Sequence, residues 1–168
     1  CGNRRFFYNA LQRECHRAIR FGETFGLAMM DIDHFKQVND AYGHAAGDHV
    51  LRELAEVTRK AIRNTDILCR FGGEEFVLIL AYVDKESLYI VSEKIRQAIE
   101  ATTFTYGNFK LRIAVSIGST IVSGQQGVVD SEQVVNRADR AMYFAKYHGR
   151  NQSVLYEDLP QEWKFIEN

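Results

Sequence analysis

Residues 66–80 read DILCRFGGEEFVLIL, two runs rich in β-forming side chains on either side of the pair Gly72-Gly73. The pattern predicts an antiparallel hairpin closed by a tight primed turn, for which glycine supplies the positive φ that other residues resist. The same glycines leave bare backbone that a ligand can approach. Glu74 and Glu75 open the second arm, and strand alternation sends their side chains to opposite sides.

Upstream of the hairpin, residues 25–30 read as a buried strand ending in the acidic pair Asp31 and Asp33. A short helix over about residues 34–42 closes at Gly43, a residue suited to a left-handed cap. A second helix over about residues 45–62 turns Val50, Leu54, Val57 and Ala61 to the core. Near the start of the chain Asn3 caps a helix whose Phe7, Leu11, Cys15 and Ala18 share one face. Downstream, Asp84 opens a helix with Leu88, Val91, Ile95 and Ala98 as its buried stripe. Residues 109–122 read as one long strand, with Gly124 and Gly127 in the loop beyond it. A last long helix over about residues 131–147 directs Val134, Ala138, Ala141 and Ala145 inward; Gly149 ends it, and residues 153–156 add an edge strand. Strands and helices alternate unevenly, so the fold class is mixed α/β (α+β) with a partly antiparallel sheet flanked by helices.

The 168 residues are enough for one domain with a real core, placed at residues 1–156, followed by a polar tail, 157–168, with Trp163 in it. Lys plus Arg number 21 against 22 for Asp plus Glu, a balance that argues against binding nucleic acid or a membrane surface by bulk charge. Cys1, Cys15 and Cys69 are odd in number and form no C-x-x-C pair, as expected of incidental thiols in a reducing, cytoplasmic compartment. The longest apolar stretch, residues 76–83, is too short to cross a bilayer, and no signal peptide is visible. The first residue is Cys rather than Met, so the expectation is a piece of a longer chain, with any sensor or membrane tether upstream.

Asp31, Glu74 and Glu75 stand at strand ends, where a packed sheet holds them rigidly. If the first strand lies beside the hairpin, they converge on a site of hard oxygen ligands suited to magnesium. Taken singly, each is as readily a solvated acid. The amides at the start of the short helix, together with Lys36, suit phosphate. Asn39 and Asp48 flank the Gly43-His44 break, and a carboxylate there matches the adjacent N1–H and N2–H donors of guanine, which adenine lacks. Taken alone, Asp48 reads as an ordinary first-turn acid favoured by the helix dipole. Lys146 and Arg150 bracket the end of the last helix, where they either offset its dipole or clamp phosphate. Arg63 and Asp66 form R-x-x-D, readable as a helix-end ion pair or as a ligand fork.

RFGGEEF at residues 70–76 resembles the signature of the GGDEF family of diguanylate cyclases in its GGEEF form. DIDHFKQVND at 31–40, GHAAGDHVL at 43–51, ADRAMYFAKYHGRN at 138–151 and GNRRFF at 2–7 resemble further motifs of the family, in the expected order, the last being the end of a lead-in motif cut short at Cys1. The resemblance implies a palm-like nucleotidyl cyclase fold and condensation of two GTP into cyclic di-GMP with release of pyrophosphate. It implies that Asp31, the Ile32 carbonyl and Glu74, joined by Glu75, hold magnesium or manganese, with Glu74, or alternatively Glu75, as general base. Asn39 and Asp48 would read guanine, His44 would lie near the ribose, and Lys36, Lys146 and Arg150 would hold phosphates and offset transition-state charge. Each domain binds one GTP, so a homodimer of half-sites is implied. Arg63 and Asp66 match an inhibitory product site, to be completed by Lys94 or Arg96. A receptor that binds cyclic di-GMP without turnover is the alternative, and a cyclase making another product a third reading.

Overall fold

The computed structural model describes residues 2–126 and 130–164. Asn3 accepts a hydrogen bond from the Phe6 amide (3.0 Å) and starts helix α1, Arg4–Phe21, which buries Phe7, Ala10, Leu11, Cys15 and Ala18. Strand β1, Thr24–Ile32, is buried from its second residue onward. Helices α2, Phe35–Tyr42, and α3, His44–Ala61, follow with Gly43 between them. The hairpin consists of β2, Ile67–Arg70, and β3, Glu75–Ala81. Asp84 caps helix α4, Lys85–Ala101, by accepting from the Ser87 amide (2.7 Å). Short strands β4, Phe104–Tyr106, and β5, Phe109–Leu111, pair with each other. Strand β6, Val115–Ser123, helix α5, Ser131–Tyr147, strand β7, Ser153–Leu155, and a short helix α6, Gln161–Lys164, complete the chain.

One sheet runs in the order β2-β3-β1-β6-β7, antiparallel throughout except for the parallel pair β6 and β7. The mostly antiparallel sheet flanked by helices is thus the fold expected from the sequence. Alternation along the strands divides the core in two. Ala28, Met30, Ile32 and Leu78 pack with Val50 and Leu54 of α3 and Ile95 and Ile99 of α4. Leu27, Met29, Val77 and Ile79 pack with residues of α1 and α5 on the opposite face. Helix α5 crosses β6 so closely that a Cβ on Gly118 would lie 1.9 Å from the Met142 amide nitrogen. That contact, open only to glycine, sets the height at which α5 presents Lys146.

Several local expectations change. The Gly72-Gly73 turn is not of the primed type, because neither glycine has a positive φ. The amides of Phe71 (2.8 Å) and Gly72 (3.4 Å) both donate to the Glu75 carbonyl, making the loop wider than two residues. The Arg70 guanidinium gathers the Gly72 and Gly73 carbonyls (2.6–3.2 Å), so a side chain closes the turn and mirrored dihedrals are unnecessary. Gly43 has φ 85° with ψ 160°, outside the left-handed helical region, since it must end α2 and lead directly into α3. Helix α3 leaves Val57 only half-buried. The buried stripe of α4 is Leu88, Ser92, Ile95 and Ile99, with Val91 and Ala98 at its flanks. Ser92 enters the core because its hydroxyl donates to the Leu88 carbonyl within the helix (2.9 Å). Residues 109–122 are not one strand: the chain reverses at Gly107 (φ 57°), and β5 pairs back on β4 before β6 begins. Gly127 lies outside the described residues.

The described part of the tail folds back on the domain. The Glu157 carboxylate accepts from Thr120 Oγ1 (2.6 Å) and from the Ile121 amide (3.1 Å), Leu159 is buried, and Trp163 packs edge-on against Phe144 (5.0 Å) and His148 (5.2 Å). Among the described residues no helix is long and apolar enough to cross a membrane.

Candidate active site

Antiparallel pairing of β1 with β3 sets Asp31 directly opposite Glu75. Both share the parity of Met29 and Val77, so both belong to the face covered by α1 and α5. Lys146 of α5 reaches that face, with Nζ 2.8 Å from Asp31 Oδ2. Asp31 is buried and Glu75 half-buried; Glu74 is half-buried within the turn. A Cβ on Gly72 would stand 2.6 Å from Glu75 Oε2, so this glycine makes room for the carboxylate.

Burial is the largest influence on all three acids and pushes each above the ordinary carboxylate value. Repulsion from Asp31 adds to the rise at Glu74 and Glu75, while the Lys146 ammonium opposes it at all three. Ionisation of each acid is thus disfavoured by burial and by its neighbours, and Lys146 offsets this in part. Such a set of hard oxygen donors fits a divalent cation. Among the described residues no group of three or more His, Cys, Asp or Glu side chains forms a ready-made metal cage.

The turn after α5 faces the same carboxylates. Arg150 lies near enough to Asp31 to lower its pKa. Arg150 (φ 63°) and Asn151 (φ 45°) are consecutive left-handed residues after Gly149 (φ 110°), each non-glycine residue costing on the order of 1 kcal/mol. Asp33 supports this turn by accepting from the Asn151 amide (2.9 Å) and from Ser116 Oγ (2.7 Å). Sequence reasoning noted Asp33 only as a neighbour of Asp31; its sole signal was a second acid at the end of a buried strand. Arg4 and Asp139 were also missed. Arg4 lies over the Phe71 ring (4.6 Å) and lowers the pKa of Glu75, whereas Asp139 raises it. Neither has a sequence signal, since only packing brings α1 and α5 to the hairpin.

On the α2–α3 side, Asn39 abuts the second helix: a Cβ on Gly47 would lie 2.0 Å from Asn39 Oδ1. Asp48 is exposed and borders a cavity of about 400 Å³ lined also by Leu51, Arg52, Ala55, Arg70 and Phe76. The candidate base-reading acid and the hairpin arginine thus share one hollow. His44 is exposed as the first residue of α3, and Lys36 is exposed on α2.

Arg63 and Asp66 lie in the connection between the end of α3 and β2. The Arg63 amide donates to Asp66 Oδ2 (2.8 Å), and Asp66 Oδ1 is buried without a hydrogen-bond partner among the described residues. The Arg63 side chain is exposed. Of the two candidate third residues, Lys94 donates to the Ala61 carbonyl (3.0 Å), two residues from Arg63. Arg96 is engaged elsewhere, by Glu93, Glu100 and Asn151.

An antiparallel palm with paired carboxylates at one strand end, opposed by a lysine and an arginine, has the form of a nucleotidyl cyclase domain. The family model described as "Diguanylate cyclase, GGDEF domain" matches residues 2–152, and the chain belongs to that family. It is 36% identical over 160 residues to diguanylate cyclase A of Treponema denticola, covering 93% of this chain and 43% of that protein. It is 42% identical over 149 residues to diguanylate cyclase DgcP of Pseudomonas aeruginosa, covering 89% of this chain and 22% of that protein. The chain therefore spans less than half the length of these curated relatives. Among solved structures it resembles the GGDEF domain of DgcB from Caulobacter crescentus in complex with c-di-GMP, with a TM-score of 0.86 and 33% identity over 93% of this chain and 91% of that one.

Proposed function

We propose that residues 1–156, with 157–168 as a tail, form a diguanylate cyclase domain that condenses two GTP into cyclic di-GMP and releases pyrophosphate. The observation that carries this reading is the Asp31–Glu75 register, with Lys146 on Asp31 and the Arg150 turn facing it, in a chain of this family. Asp31, the Ile32 carbonyl, Glu74 and Glu75 would hold magnesium or manganese, which supplies charge neutralisation of the triphosphate and eases ionisation of the attacking hydroxyl. Glu74, or alternatively Glu75, takes the proton of a 3′-hydroxyl; a carboxylate whose pKa is lifted by burial is the better base. The 3′-oxygen bonds to the α-phosphorus of the other GTP, and the bond to the β-phosphate breaks as pyrophosphate departs. Lys36, Lys146 and Arg150 hold the phosphates and offset the charge that develops on them. Asn39 and Asp48 accept the guanine N–H donors, and His44 lies near the ribose.

Each attack joins nucleotides held by different domains, so two copies must face each other, and control of their geometry by an upstream sensor becomes control of rate. The domain works in the cytoplasm, with any membrane tether on that upstream segment. Arg63, Asp66 and Lys94 form the inhibitory product site, where Asp66 Oδ1, without a hydrogen-bond partner among the described residues, is suited to accept a guanine N–H.

Incubation with GTP and magnesium over a range of protein concentrations tests the reading. Cyclic di-GMP formed at a rate steeper than linear in protein is expected. Failure to form it even in artificially dimerised protein, with cyclic di-GMP still bound, would favour the receptor. ATP used as readily as GTP would contradict the roles of Asn39 and Asp48.

A further inference from the structure

The turn that carries Arg150 is held from a direction its sequence does not suggest. Arg96, on α4, has a side chain only 12% exposed. Its Nε bonds to Glu93 Oε1 (2.9 Å), and its Nη1 bonds to Glu100 Oε2 (2.8 Å) and Asn151 Oδ1 (2.9 Å). The Asn151 carboxamide donates in return to Glu100 Oε1 (2.7 Å), and Glu93 Oε1 also accepts the Ser153 amide (3.2 Å). On the other flank, Asp33 accepts the Asn151 amide. Asn151 is thus gripped by side chain and by backbone, immediately after an arginine in the same left-handed region.

We propose that Arg96 is a positioning residue: through Asn151 it holds the Arg150 turn in the conformation that directs the Arg150 guanidinium toward the phosphates of bound nucleotide. Two consecutive left-handed residues relax to ordinary dihedrals unless their surroundings over-determine them. With Nη2 also donating to Glu93 Oε2 (3.1 Å), a guanidinium with three nitrogens fixed by two carboxylates and an amide is a rigid anchor for that purpose. The side chain of Arg150 itself remains exposed, free to meet ligand. Its aim therefore depends on backbone set by its neighbours, and α4, otherwise a packing helix, becomes part of the phosphate-binding apparatus. The role toward nucleotide rests on the cyclase reading; the grip on the turn does not.

The test has two arms that fail separately. In Arg96→Met, amide hydrogen exchange followed by NMR should quicken at least about tenfold at Asn151, with Ala141 and Ala145 of α5 unchanged. Unchanged exchange at Asn151 overturns the proposal, as does equal acceleration along α5. In the second arm, kcat/KM for GTP should fall about tenfold, mainly through KM, and Arg96→Met should cost nothing further in an Arg150→Ala background. Losses that multiply would show that Arg96 does not act through Arg150. Asn151→Gly, which keeps left-handed backbone accessible while removing the carboxamide, should reproduce the loss; wild-type kinetics in it would overturn the proposal even if Arg96→Met failed to fold. A wild-type domain that makes no cyclic product sinks the cyclase reading alone, and the exchange arm still decides the grip.

Discussion

Burial raises the pKa of Asp31, Glu74 and Glu75 above the ordinary carboxylate value, and two consequences follow at the scale of single residues. Glu74→Ala should lower turnover of GTP by roughly 10²–10⁴-fold, the range of a lost general base, with the fold intact; magnesium-dependent synthesis at the wild-type rate would remove the assignment. Glu75→Gln should stabilise the fold while impairing synthesis. A carboxylate whose folded pKa is raised binds more protons folded than unfolded, so its ionisation costs stability as pH rises through that folded value. The gain in melting temperature over wild type should be absent well below the ordinary glutamate value of 4.5 and grow as pH rises above it. Each kcal/mol relieved moves the midpoint of a domain this size by about 2–4 °C. A variant that melts lower than wild type at pH 7 would contradict the charge argument.

At the scale of elements, the hairpin and α5 build the site by meeting across β1. The hairpin supplies Glu74 and Glu75, and α5 supplies Lys146 and the Arg150 turn through its contact at Gly118. The tail steadies α5 from outside: Trp163 covers the helix end, and Glu157 ties the segment to β6. Removal of residues 157–168 exposes the site that buries Leu159 and abandons those bonds. One buried leucine is worth about 1.5–3 kcal/mol, so the melting temperature should drop by about 3 °C or more, as differential scanning calorimetry would record. An unchanged midpoint would show that the segment packs without stabilising.

At the scale of the whole molecule, the Asp31–Glu75 carboxylates and the Arg63–Asp66 pair lie in different regions of one sheet-and-helix body, so on the proposed function synthesis and inhibition should separate genetically. Arg63→Ala should raise the product concentration that half-inhibits synthesis by about tenfold or more, the value of one charge-assisted contact; an unshifted inhibition curve would remove the second site. Much of this organisation was legible in the residues themselves. Helical spacing marked the buried faces of α1, α3 and α5, and the glycine pair between β-rich runs marked the hairpin. Strand-end acids marked Asp31, Glu74 and Glu75, because local periodicity and turn chemistry act over a few residues and are written there. The form of the turn, the split between β5 and β6, the ion pair of Lys146 with Asp31, and the parts played by Asp33, Arg4 and Arg96 were not legible. Each depends on groups far apart in the chain that meet only when the sheet order β2-β3-β1-β6-β7 and the crossing of α5 over Gly118 are in place. The sequence alone determined which residues can bear the chemistry; tertiary packing decided which carboxylates share a field and which side chains hold the Arg150 turn, because burial and through-space charge have no counterpart in local spacing.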